Sequence, residues 1–182
     1  MTHPAVLSPF LRPEIAGEAV QRGLAVTCRP VTSIEEVALH YEIRRRVFVL
    51  EQGVFPFSDR DVHDGAPGTV CVLGLCGAVA GGAVRLYPLA PDAAGGEEGI
   101  WKGDRLAVLP PFRAGAVKGG MGGQLVRFAV RAAGERGGRR MVAHIQPANV
   151  IFFEHLGWRT VGGLVDYAGL PHQQMAIDLS PG

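Results

Sequence analysis

Between Gly103 and Leu125 the chain reads GDRLAVLPPFRAGAVKGGMGGQL, which sets Arg113 and Lys118 among Gly115, Gly119, Gly120, Gly122 and Gly123. A short apolar run, Leu106 to Leu109, stops at Pro110 and Pro111, and an amphipathic helix begins near Met121. Strand, basic glycine-rich loop and helix in that order build a pocket for phosphate. The helix start offers unpaired N–H groups and partial positive charge, and glycines let the main chain approach an anion closely. The chemistry expected here is binding of a phosphate-bearing small molecule.

Residues suited to acid–base work lie elsewhere. They are Glu51, Asp104, His144, His155 and His172, the imidazoles among them titrating near neutral pH. Arg44 and Arg85 suit an acceptor carboxylate, although a solvated or ion-paired arginine is the commoner case. The segment DRDVHD (59–64) is acidic and local, and reads as a polar loop rather than a metal site. Cys28, Cys71 and Cys76 show no metal-ligand or redox spacing, and an odd count without a disulfide framework suits a reducing cytoplasm. No metal is expected.

The elements that must position these residues follow from composition and periodicity. With 182 residues, 47% apolar and 19% charged, the chain reads as one soluble domain, and a formal charge of +1 gives no case for nucleic acid or an anionic membrane. No run approaches a membrane span. Residues 1–23 read as a loosely ordered lead-in and 24–182 as the single domain. A strand is expected over 24–30. A helix capped by Ser33 should run to about Phe48, with Ile34, Val37, Ala38, Tyr41 and Phe48 inward. Residues 52–68 read as a long loop of the kind that borders sites. A hairpin (69–75 and 79–87), a strand at 104–109 and a helix to about Glu135 come next. A strand at 141–145, a short helix ending at Gly157, and closing strands near 158–166 and 174–179 complete the order. This β-α-β-β-β-α-β-α-β-β order predicts an α/β (α+β) mixed sheet with helices on its faces.

That order, with four segments, resembles the GCN5-related N-acetyltransferases, the GNAT superfamily. The segments are the glycine-rich loop, FFEHLGW (152–158), YEIRRRVFVLEQGVF (41–55) and GLPHQQM (169–175). The last two resemble the ElaA/YjcF-like branch. The resemblance covers about residues 24–180 and implies the GNAT acyl-CoA N-acyltransferase fold, with acetyl-CoA as donor cosubstrate. It departs in two places. The loop is a few residues longer, so Arg113 or Lys118 supplies the cation from a shifted position, and the family's frequent tyrosine is Phe153, which has no proton to give.

The resemblance implies roles residue by residue. Main-chain groups of Leu106, Ala107 and Val108 would hold the thioester and pantetheine arm like an added strand. Arg113, Ala114, Gly115, Lys118, Gly119, Gly120, Met121, Gly122 and Gly123 would wrap the pyrophosphate. Gln146 and Asn149 would bond the pantetheine amides or cap the short helix. Phe152 and Phe153 would line the thioester channel or belong to the core. Glu51, Asp104 and His172 would be the acid–base candidates, with His172 preferred for its place in the PH segment. The implied reaction is acetyl transfer to the primary amine of a small molecule, in a cytoplasmic protein that is a homodimer in many family members. Two alternatives stand beside it: an acyltransferase similar to acyl-homoserine-lactone synthases, and a coenzyme A-binding module without catalysis.

Overall fold

The computed structural model describes residues 13–113, 115 and 120–179. Seven strands form one sheet in the order β1-β2-β3-β4-β5-β7-β6. They are β1 (Val26–Pro30), β2 (Val70–Cys76), β3 (Val79–Pro88), β4 (Ile100–Val108), β5 (Arg140–Ile145), β6 (Arg159–Tyr167) and β7 (Leu170–Asp178). Four α-helices accompany them: α1 (Pro13–Gln21), α2 (Ile34–Arg44), α3 (Met121–Gly134) and α4 (Val150–His155). Among the described residues no helix is long and apolar enough to cross a membrane.

Each helix follows a local rule. Ser33 caps α2 by accepting from the Glu36 backbone N–H. Met121, Leu125, Val126, Ala129, Ala132 and Ala133 give α3 one buried face. It rests on Gly74 and Gly82, where an added Cβ would crowd Leu125 and Met121. α4 ends with Gly157 at φ 88, the left-handed position glycine favours.

Two expectations need correction. Residues 13–21 are not a loose lead-in but the helix α1, which buries Ala16 and Ala19 against the core and brings the Ala19 carbonyl to the Cys76 thiol. Small residues three apart on one helical face allow that close approach. The inward face of α2 is also rotated. His40, Ile43, Arg44 and Val47 are buried while Ile34 is 77% exposed. Arg44 takes an inward position because carboxylates wait for it, and α2 continues as a π-helical turn (Arg45–Glu51) that shifts the facing of later residues.

The sheet is continuous except at one seam. β4 and β5 are its one parallel pair, matched only at Ile100↔Arg140, Trp101↔Met141 and Lys102↔Val142. Beyond Lys102, β4 stays with β3 while β5 follows β7, so the strands part as a V.

Candidate active site

The V opens into a cavity of about 140 Å³ that passes through the sheet. Phe153, Val126 and Ala129 reach it from the α3 and α4 side; Phe48, Gln52, Val54 and Phe55 close it from the other. Lys102, Asp104, Arg105, His144, Tyr167 and His172 supply its polar wall. Trp158 lines it as well, and His144 Nδ1 and Trp158 Nε1 are buried without a protein partner among the described residues.

β4 carries a bulge inside the open stretch. Ala83 faces Ala107 and Arg85 faces Asp104, so Arg105 and Leu106 together oppose Val84. Arg105 sits at φ 54, costly for a side chain that is not glycine. Its guanidinium holds it there, donating to the Asp59 carbonyl (3.1 Å), to Asp61 (3.0 Å) and to the Tyr167 hydroxyl (2.7 Å). Leu106 lines the cavity, Ala107 is buried, and Val108 accepts from Arg113.

On the donor side, Phe112 buries itself against Gly81 and anchors the start of the glycine-rich loop. Gly120 precedes α3 at φ 63, and among the described residues nothing lies within 4 Å of where its Cβ would stand and no side chain caps the helix. The first N–H groups of α3 are thus without a side-chain cap, as an anion site requires. Gly115 is also left-handed, at φ 77. Met121 is fully buried beside Gly74 and Gly82, so only its main chain can face a ligand. Gly122 leaves ordinary contact distance to Phe152 and Val108, and Gly123 leaves 3.3 Å to Arg127. Ala114, Lys118 and Gly119 lie outside the described residues. Gln146 and Asn149 line the cavity, and Gln146 also approaches Gln52 at 3.4 Å. Phe153 is buried edge-on to Trp158, and Phe152, 38% exposed, leans on it from outside.

The acid–base candidates separate clearly. Glu51 does not reach the cavity. It receives both terminal nitrogens of Arg113 at 2.6 and 2.7 Å, and those hydrogen bonds hold its carboxyl below the usual range. In this structure it is the partner of the loop cation and stands outside the cavity lining. Asp104 lines the cavity, but Arg85 takes both its oxygens at 2.8 and 2.7 Å. His172 is buried at the cavity wall. Its Nδ1 lies 2.9 Å from the Leu170 carbonyl, which can only accept, so Nδ1 carries a hydrogen and, in the neutral ring, Nε2 is the nitrogen with the free lone pair. His144 is held neutral by burial, with Lys102 and His172 adding to the depression of its pKa. His155 ends α4 on the exposed surface.

Arg44 and Arg85 are not available to a substrate carboxylate, because both are fully buried in internal pairs. Arg44 binds Asp59 and Asp64; Arg85 binds Asp61, Asp64 and Asp104. The DRDVHD segment is thus the clasp that ties the 52–68 loop to the sheet. Burial alone would discourage ionised Asp64, but the Arg44 hydrogen bond overrides it and holds its carboxyl far below the usual range.

Lys102, Tyr167, Trp158, Gln52 and Arg105 were not legible as site residues. Lys102 and Tyr167 lie on strands with no motif around them. Tyr167 reaches the site because Ala168 and Gly169 turn the β6–β7 hairpin with φ 54 and 76.

No protein-family model and no curated protein matches the sequence. Solved structures do match. A Lactobacillus plantarum protein assigned as an N-acetyltransferase gives a TM-score of 0.71 at 24% identity, covering 86% of this chain and 99% of its own. Escherichia coli ElaA gives 0.67 at 20% identity, with 83% and 98% covered. The CoA-dependent acyl-homoserine lactone synthase BjaI, solved with SAM and isopentyl-CoA, gives 0.67 at 18% identity, with 86% and 84% covered. The parted β4 and β5, the helix opening on Gly120 and these superpositions together give the chain the fold of the GCN5-related N-acetyltransferases.

Proposed function

We propose that this protein transfers an acetyl group from acetyl-CoA to the primary amine of a small molecule. The observation that carries the reading is the V between β4 and β5, open on one side toward the uncapped start of α3 and on the other toward two imidazoles. The pantetheine arm would lie along the free edge of β4, an added strand satisfied by main-chain bonds. The pyrophosphate would rest on the N–H groups around Gly120–Gly123, with Arg113 turning from Glu51 to meet it.

In the reaction, the amine nitrogen bonds to the thioester carbon, the C–S bond breaks, and the amine proton must leave. His172 Nε2 is the acceptor best prepared for that proton, since Leu170 fixes its tautomer. His144, also neutral, stands at the same wall. Phe153 supplies no acid for the departing thiolate, so coenzyme A leaves as the thiolate or takes its proton from solvent.

The reading is tested by thiol release from acetyl-, butyryl- and octanoyl-CoA in the presence of mixed primary amines. Acetyl-CoA should turn over fastest, His172→Gln should lower kcat by about 10²-fold, and Phe153→Tyr should raise it. Preference for the octanoyl donor would favour an acyltransferase similar to the homoserine lactone synthases. Binding of coenzyme A with no thiol release for any pair would leave a binding module only.

A further inference from the structure

Resting on that reading, we infer that the acceptor is an apolar amino acid, whose carboxylate is held by the Lys102 ammonium while its amine faces His172 and His144. Lys102 is the last β4 residue paired with β5, so it stands at the closed apex of the V. Its side chain is half-buried and lines the cavity, with Nζ 5.4 Å from the centre of the Tyr167 ring.

The charged lining residues differ in what they have left to offer. Asp104 has given its oxygens to Arg85. Arg105 has given its donors to Asp59, Asp61 and Tyr167. Among the described residues no oxygen hydrogen-bonds Lys102, and its three N–H donors remain available. The ion clasp holds four aspartates against three arginines, but its least buried carboxylate, Asp61, is 31% exposed and shares its surplus charge with water. Lys102 is thus not consumed by the clasp.

A half-buried ammonium whose N–H donors meet no oxygen is costly even beside the Tyr167 ring and the Asp104 charge, and a ligand carboxylate lowers that cost when it binds. Burial pushes the Lys102 pKa below the usual lysine range, with Asp104 opposing and Arg105 and Arg85 reinforcing the depression. A carboxylate ligand would reverse that shift and fix the ammonium. The opposite wall is apolar, formed by Phe48, Val54 and Phe55, and suits an aliphatic or aromatic side chain. Lys102 is on this account a binding residue that selects the acceptor and takes no part in bond making.

The test measures thiol release from acetyl-CoA with leucine, methionine and phenylalanine, each beside its decarboxylated amine. The wild type should favour each amino acid at least tenfold in kcat/KM. Lys102→Gln should raise KM for the amino acids about tenfold more than it does for the decarboxylated amines, and Lys102→Arg should restore part of that difference. Equal use of amino acids and amines by the wild type would overturn the inference and leave the donor reading standing. So would a Lys102→Gln defect that is the same for both. Failure of the wild type to bind coenzyme A would overturn both readings. Calorimetry of Lys102→Gln with coenzyme A shows whether that variant is folded, and the wild-type comparison decides the matter without it.

Discussion

At the scale of single residues, burial sorts the histidines by task. His172 and His144 share the cavity wall, where a lone pair is useful. His40 lies in the core instead, with Nε2 3.2 Å from the Val84 carbonyl and Nδ1 unpartnered. Burial, aided by Arg44, lowers its pKa from 6.5 to about 4. The linkage sign follows. Between those values the unfolded chain binds the proton and the folded chain does not, so stability is fully present above pH 6.5 and is lost as the pH falls toward 4. Chemical denaturation across that range should show a loss on the order of 3 kcal/mol at its acid end, and His40→Gln should flatten the slope. An unchanged slope in a folded His40→Gln variant would mean another group carries it.

At the scale of elements, the clasp between the 52–68 loop and the sheet dominates. Arg85 is fully enclosed, and although burial disfavours its charge, the hydrogen bonds it donates to Asp104 and Asp61 keep it firmly ionised. Arg85→Met removes the cation and leaves three carboxylates short of a partner. Breaking a buried pair in this way costs about 3–5 kcal/mol. Urea unfolding should therefore show a loss of that size in the variant. A loss under 1 kcal/mol would mean that water replaces the guanidinium and that the clasp is not what holds the loop.

These elements also show what a sequence discloses. The Ser33 cap, the left-handed Gly157 and the breadth of α3 were legible because each is local: a cap, a positive φ, a period of 3.6. The partners of Arg44 and Arg85 were not, since Asp59, Asp61 and Asp64 meet them only after α2 and β3 are packed together. Glu51 looked like an acid–base group from its place after α2, yet it pairs with Arg113, 62 positions away in the chain. Lys102 and Tyr167 stand on different strands, joined only by the sheet order in which β7 lies between β5 and β6. No spacing rule encodes such a meeting.

At the scale of the whole molecule, one break in the strand pairing organises everything else. On the proposed function the V would give a donor arm the free edge of β4, the glycine-led start of α3 would face its phosphates, and the cavity would admit an amine from the opposite face. The account's central claim is that coenzyme A occupies this track. Calorimetric titration of acetyl-CoA into the wild type and into Gly120→Glu/Gly122→Glu tests it most directly. Gly120 is left-handed and Gly122 lies on the first turn of α3, so glutamates there bring strain and negative charge to the phosphate site. The account predicts micromolar binding by the wild type, about −8 kcal/mol, abolished in a double variant that still unfolds cooperatively. Binding that survives both glutamates would place the cofactor elsewhere, and no binding by the folded wild type would contradict the acyl-CoA reading itself.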